Sequence, residues 1–208
     1  NAKLVISIQK SVFKMTSIKS ACVYCGASTI SNPVFDAPTL ELGSSLAKAG
    51  ITLVYGGGSP GLMGKVANAC MDAGGKVIGV IPDHILKLEN RHSELTELHV
   101  VDNMHTRKMM MAEKADAFII MPGGLGTLDE AFEIMTWKYL GIHNKPVIIA
   151  NIEGYWAPLI ALLEHMHRQK FVRDEHMKTF IEAKTIEEVM VILQSSEKSM
   201  SPVQTEKI

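Results

Sequence analysis

Thr52-Leu53-Val54-Tyr55-Gly56-Gly57-Gly58-Ser59-Pro60-Gly61-Leu62-Met63-Gly64 passes from a short strand-forming run through a glycine turn into a segment with helical spacing. Strand, glycine turn and helix in that order are the repeating unit of a parallel α/β sheet. Consecutive glycines let the backbone come close to an anion, and a helix start offers unpaired N–H groups and the positive end of a dipole. A second such unit follows the apolar run at 117–121: Pro122-Gly123-Gly124-Leu125-Gly126-Thr127-Leu128-Asp129-Glu130.

Outward from these two units the alternation continues. Strands are predicted at residues 21–25, 52–55, 76–81, 97–101, 117–121 and 146–150, and helices at 34–49, 61–73, 104–115, 127–139, 156–168 and 185–194, with a shorter helix around 174–183. Near-continuous apolar strands separated by helices predict a doubly wound α/β fold, a parallel sheet with helices on both faces, in a single domain. Residues 19–194 are expected to form that domain. Residues 1–18 read as a leader or expression remnant without an assigned role, and 195–208 as a polar tail. In open parallel sheets ligands bind beyond the carboxyl ends of the strands, so the residues to weigh are those that follow strands.

The bulk composition sets limits. A chain of 208 residues with 47% hydrophobic content can bury one sizeable core. A formal net charge of -1 supplies no global field for nucleic acid or an anionic membrane, so a phosphate has to be held locally. The first twenty residues are broken by Gln9, Lys10, Ser11 and Lys14, leaving no signal-peptide core. Three cysteines, Cys22, Cys25 and Cys70, fit reduced thiols in a cytoplasmic protein better than a disulfide framework. Cys22 and Cys25 sit three apart on a strand and point to opposite faces, and His165 and His167 diverge on a helix, so no metal site is expected.

Each glycine loop has a bland alternative. Gly56, Gly58 and Gly61 spell the G-x-G-x-x-G dinucleotide fingerprint, with Asp83 past the next strand, but the fingerprint normally follows the first strand of its fold. Ser59 as a helix cap and Pro60 in the first helical position would explain that loop equally well. In the second loop Thr127 and Glu130 spell a capping box, which accounts for those two residues but not for the glycines ahead of them. A third element, Met104-His105-Thr106-Arg107-Lys108, puts two cations in the first turn of a helix, where the dipole opposes positive charge; an anionic partner would offset that, and a solvated basic patch is the ordinary alternative.

Taken together, the Tyr55–Gly64 loop, the Met104–Lys108 segment and the Pro122–Glu130 loop in its P-G-G-x-G-T-x-x-E form resemble the LOG (Lonely Guy) cytokinin riboside 5′-monophosphate phosphoribohydrolases, a family often mislabelled as lysine decarboxylases. The resemblance runs over residues 19–193. It implies a Rossmann-like fold and hydrolysis of the N-glycosidic bond of a nucleoside 5′-monophosphate, AMP or a cytokinin riboside 5′-monophosphate. Arg107 and Glu130 would be the catalytic pair. Substrate contacts would come from Glu89, Lys108, Gly123, Gly124, Gly126, Thr127 and Thr136, with Gly57, Gly58 and Ser28 as further binding candidates. No cofactor, nucleic acid or membrane enters that picture, and the family implies a homodimer. Asp129 stands where many members carry Glu. Two other classes stay in view: a dinucleotide-dependent oxidoreductase resting on Gly56–Gly61, which leaves the second loop unexplained, and a non-catalytic nucleotide or molybdenum-cofactor carrier, against which the presence of both Arg107 and Glu130 speaks.

Overall fold

The structure, a computed structural model, describes residues 18–87 and 95–196. Seven strands, β1 (Ser20–Tyr24), β2 (Thr52–Tyr55), β3 (Val77–Pro82), β4 (Glu97–Val101), β5 (Ala117–Ile120), β6 (Val147–Ala150) and β7 (Ile181–Ala183), form one sheet in the order β4-β3-β2-β1-β5-β6-β7. All neighbours are parallel. The connections carry α1 (Asp36–Lys48), α2 (Gly61–Asp72), α3 (Asp83–Leu86), α4 (Met104–Lys114), α5 (Leu125–Tyr139), α6 (Ala157–Arg168), α7 (Asp174–Met177) and α8 (Ile186–Ser195). The chain winds outward from β1 through β2, β3 and β4, then returns to the other side of β1 with β5. That reversal makes the β1/β5 junction the switch point at which a doubly wound sheet opens a crevice.

The strand period divides the core into two layers. Ala21, Val23 and Cys25 point into a cluster with Leu42 and Leu46 of α1, Val66 of α2 and Val189 of α8. Cys22 and Tyr24 point the other way, toward Met111 of α4, Ile134 of α5 and Leu163 of α6. Each fully buried Leu, Ile or Val contributes roughly 1.5–3 kcal/mol relative to exposure. With both faces of β5 and β6 wholly buried, stability resides in these layers, which frees the loops at the strand ends to be shaped by the site. Thr127, Ala131, Ile134 and Met135 recur on one side of α5 at the spacing that lays a helix on a sheet.

Three differences from the sequence reading have local causes. The helix predicted over 174–183 is one turn, α7, followed by β7, whose Ile181, Glu182 and Ala183 pair with Ile148, Ile149 and Ala150. Three residues at a sheet edge with one buried side chain give no period to read. The single turn α3 follows Pro82 and is too short to show helical spacing. Helix α5 begins at Leu125, ahead of the predicted Thr127, because Gly126 lies inside its first turn, where glycine ordinarily argues against helix. Cys22, Cys25 and Cys70 are buried and unpaired. No helix among the described residues is long and apolar enough to cross a membrane.

Candidate active site

At the switch point lies a cleft of about 330 Å³, bounded by Cys25 to Ser28 after β1, Gly56 after β2, Met63 of α2, Ile85 of α3, Met104 and Arg107 of α4, and Gly124, Gly126, Thr127, Asp129 and Glu130 at the start of α5. Helix α4 begins beside it because Asn103 caps the first turn, its Oδ1 accepting the Thr106 N–H at 2.9 Å. One turn later Arg107 reaches across the ends of β2 and β3. Its Nε donates to the Val80 carbonyl at 3.1 Å and its Nη2 to the Gly56 carbonyl at 3.5 Å.

The remaining nitrogen of that guanidinium, Nη1, lies 3.3 Å from Glu130 Oε1, and the two side chains are only 13% and 11% exposed. Burial raises the Glu130 pKa above its ordinary value; Arg107 and Lys108 pull it back, and Asp129 and Glu133 push it further up. Burial outweighs Arg107, so the cleft contains a carboxylate whose charge is held at a cost, as in a group poised for chemistry. Next to the pair, Lys108 bonds Asp129 at 2.7 Å and Glu133 at 3.3 Å. Desolvation works to lower the Lys108 pKa, but those two hydrogen bonds outweigh it and the pKa rises. Lys108 thus bridges two acidic side chains of α5 and fixes that helix to α4.

The two glycine loops part company here. In the first, the N–H groups of Leu62 and Met63 donate to the Gly26 carbonyl at 2.9 and 3.3 Å, so the start of α2 is occupied by the protein's own backbone. Gly61 has a φ of 64° and packs so tightly on the Ala27 and Ser28 backbone that a Cβ would stand 2.6 Å from the Ala27 carbonyl carbon. At its helix end this loop is packing, and Pro60 rather than Ser59 occupies the cap position. The dinucleotide reading loses its anion-binding helix start. In the second loop the cap of α5 is Gly124, no side chain caps that end, and Cβ atoms at Gly124 and Gly126 would meet nothing within 4 Å. Open space in front of uncapped helix N–H groups is the geometry that receives a phosphate. The capping box read at Thr127 and Glu130 is absent: Thr127 is the third residue of α5 and Glu130 the sixth, too deep to cap it.

Of the residues singled out from the sequence, Ser28, Arg107, Gly124, Gly126, Thr127 and Glu130 come together on the cleft. Gly57 and Gly58 are buried next to Gly56, and Gly123 turns the chain behind Thr127. Lys108 stands behind the pair, on Asp129 and Glu133. Thr136 lies further along α5, on a separate groove with Phe132, Tyr139 and His176. Glu89 lies outside the described residues. Met63, Ile85 and Met104, none of them a candidate site residue from the sequence, line the cleft as its apolar part. Nothing marked Ile85 in advance, since it rides on the single turn of α3.

Fold and cleft define a doubly wound α/β protein with an open, glycine-rich helix start and a buried arginine–glutamate pair at its switch point. Residues 63–193 match the model of the family described as "Possible lysine decarboxylase". The chain is 43% identical over 178 residues to the cytokinin riboside 5′-monophosphate phosphoribohydrolase of Rhodococcoides fascians, covering 85% of this chain and 90% of that one. It is 40% identical over 181 residues to the enzyme of the same name, LOG, of Oryza sativa subsp. japonica, covering 87% of this chain and 75% of that one. Among solved structures, the molybdenum cofactor binding protein of Rippkaea orientalis matches with a TM-score of 0.65 at 21% identity, over 87% of this chain and 98% of that one, which is a likeness of fold. The chain belongs to the family of the cytokinin riboside 5′-monophosphate phosphoribohydrolases.

Proposed function

We propose that this protein hydrolyses the N-glycosidic bond of a nucleoside 5′-monophosphate, AMP or a cytokinin riboside 5′-monophosphate, to the free base and ribose 5-phosphate. The carrying observation is the ion pair of Arg107 and Glu130 on the cleft that also holds the open start of α5. The names of the relatives point to the same reaction. Departure of the base leaves positive charge on the ribose ring. The Glu130 carboxylate stabilises that charge or activates the attacking water, while Arg107 orients the substrate through its phosphate or ribose hydroxyls. The amides of Gly124, Gly126 and Thr127 take the 5′-phosphate. The same reading keeps Ser28, on the cleft, with Glu89, Lys108, Gly123, Gly57, Gly58 and Thr136 as proposed substrate contacts, Thr136 from its separate groove along α5.

Incubation with AMP should release free adenine, and adenosine, which brings no dianion to the amides, should be a poor substrate by kcat/KM. Equal kcat/KM for the two compounds overturns the assignment of the second glycine loop.

Residues 19–194 constitute the catalytic unit in this reading, and three buried free thiols suit a cytoplasmic setting. Neither a cofactor nor nucleic acid has a part. The functional form is a homodimer. The outer surface of α5 supports this, with Phe132 and Tyr139 exposed on it and Leu140 exposed just past its end. Light scattering at micromolar concentration should return about twice the 22.8 kDa chain mass; a monomer at that concentration removes the dimer.

A further inference from the structure

A short hydrogen bond to the second glycine loop comes from a residue outside the cleft. Tyr155 Oη donates to the Gly123 carbonyl oxygen at 2.6 Å. Tyr155 reaches that point because the chain after β6 turns sharply: Glu153 and Gly154 adopt φ of 52° and 69° in the short 3-10 turn Ile152–Gly154. Asn151, itself buried, locks the turn. Its Oδ1 accepts the Trp156 N–H at 2.7 Å, its Nδ2 donates to Glu182 at 2.7 Å, and its backbone N–H donates to the Ala183 carbonyl at 2.7 Å. The Tyr155 ring is held edge-on by Phe35 at 5.2 Å and by Trp156 at 4.8 Å. The hydroxyl is therefore fixed by packing on two sides before it meets Gly123.

A trans peptide is planar, with its C=O and its N–H pointing in opposite directions. Fixing the Gly123 carbonyl on one side fixes the Gly124 N–H on the other. Gly124 lines the cleft, and its N–H leads the row of donors at the uncapped start of α5. The peptide ahead is fixed in the same manner, since the Pro122 carbonyl accepts the Gly26 N–H at 3.0 Å. The Gly123–Gly124 peptide, between glycines with no Cβ to restrict it, has the Tyr155 hydroxyl as its anchor.

We propose that Tyr155 is a positioning residue for phosphate: its hydroxyl orients the Gly123–Gly124 peptide so that the Gly124 amide faces the 5′-phosphate of a bound nucleotide. The inference rests on the phosphate-binding role given above to the start of α5. It is tested by binding rather than turnover, so it can fail separately from the hydrolase reading. Tyr155→Phe keeps the ring between Phe35 and Trp156 and removes only the donor. With Glu130→Gln present in both proteins so that AMP is not consumed, calorimetric titration of the full-length protein with AMP should give a Kd raised about tenfold, the equivalent of one hydrogen bond of about 1.4 kcal/mol. The Kd for adenosine should stay within about twofold, since adenosine makes no use of the amide. Partial loss of folded protein lowers the number of sites and leaves both Kd values in place, so instability does not imitate this pattern. A general structural role would weaken AMP and adenosine alike. That outcome overturns the proposal, as does unchanged AMP affinity in Tyr155→Phe or a wild-type protein that prefers adenosine. AMP binding of the expected pattern without adenine release would instead remove the hydrolase reading and leave Tyr155 in its role.

Discussion

Glu130→Gln will release adenine from AMP at least about a hundredfold more slowly than the wild-type protein, with the melting temperature and the affinity for AMP little changed. The size follows from the loss of an acid/base or charge-stabilising group, which removes about 10²- to 10⁴-fold in rate. The small structural effect follows from the site. Gln has the shape of Glu and retains an oxygen for Arg107 Nη1, which lies 3.3 Å from Oε1. Burial already opposes the charge that Gln removes, and Arg107 keeps its bonds to the Val80 and Gly56 carbonyls. A helix-capping role no longer competes as an explanation, because Glu130 lies in the second turn of α5. The pH profile gives an independent reading. The carboxylate must be ionised to stabilise the oxocarbenium or to accept a proton, so kcat, which reports the bound complex rather than the ionisation of free AMP, falls as pH drops through the Glu130 pKa. That fall should come above the range of an ordinary carboxylate, since the pKa is raised. Glu130→Gln should lose this acid limb. Near-normal turnover in the variant, or an unchanged acid limb, would sink the mechanism.

The sequence resolved the parts of this protein that repeat. Six strands of parallel-sheet character and the helices between them were legible because each carries an apolar run or stripe, and β1 shows the rule in one strand, with Cys22 and Val23 delivered to opposite layers. The parts that do not repeat were not legible. Strand β7 takes its character from pairing with β6, a partner more than thirty residues earlier, as the register Ile148 to Ile181 shows. The glycine loops were ambiguous for a different reason: glycine marks both a backbone that meets a ligand and a backbone that meets another backbone. Only the neighbours decide. Gly61 and Gly123 have protein against the face where a Cβ would stand, whereas Gly124 and Gly126 have open space. Arg107 and Glu130, 23 residues apart, are brought together by the adjacency of α4 and α5 at the switch point, which local spacing cannot express.

Gly56→Ala will lower adenine release by roughly a hundredfold, through Arg107, and the reason is space. A Cβ at Gly56 would stand 2.1 Å from Arg107 Nη2 and 3.3 Å from its Cζ. No left-handed φ is required at this position, so alanine meets no backbone strain there. The atom in the way is the far end of a flexible side chain. The guanidinium can swing aside and let the protein fold, at the loss of its bonds to Gly56 and Val80 and of its 3.3 Å approach to Glu130. A misplaced cation in a preorganised site forfeits about 10²- to 10³-fold in rate, the scale seen when one electrostatic donor is removed. The double variant decides whether the loss travels by this route. Arg107→Ala alone should be severely impaired, and adding Gly56→Ala to it should change nothing further, because the group that the methyl displaces is already gone. Independent effects that multiply in the double variant would show that Gly56 acts on the cleft by some other path. Turnover within about threefold of wild type in Gly56→Ala would show that Arg107 does not need its observed position for the reaction.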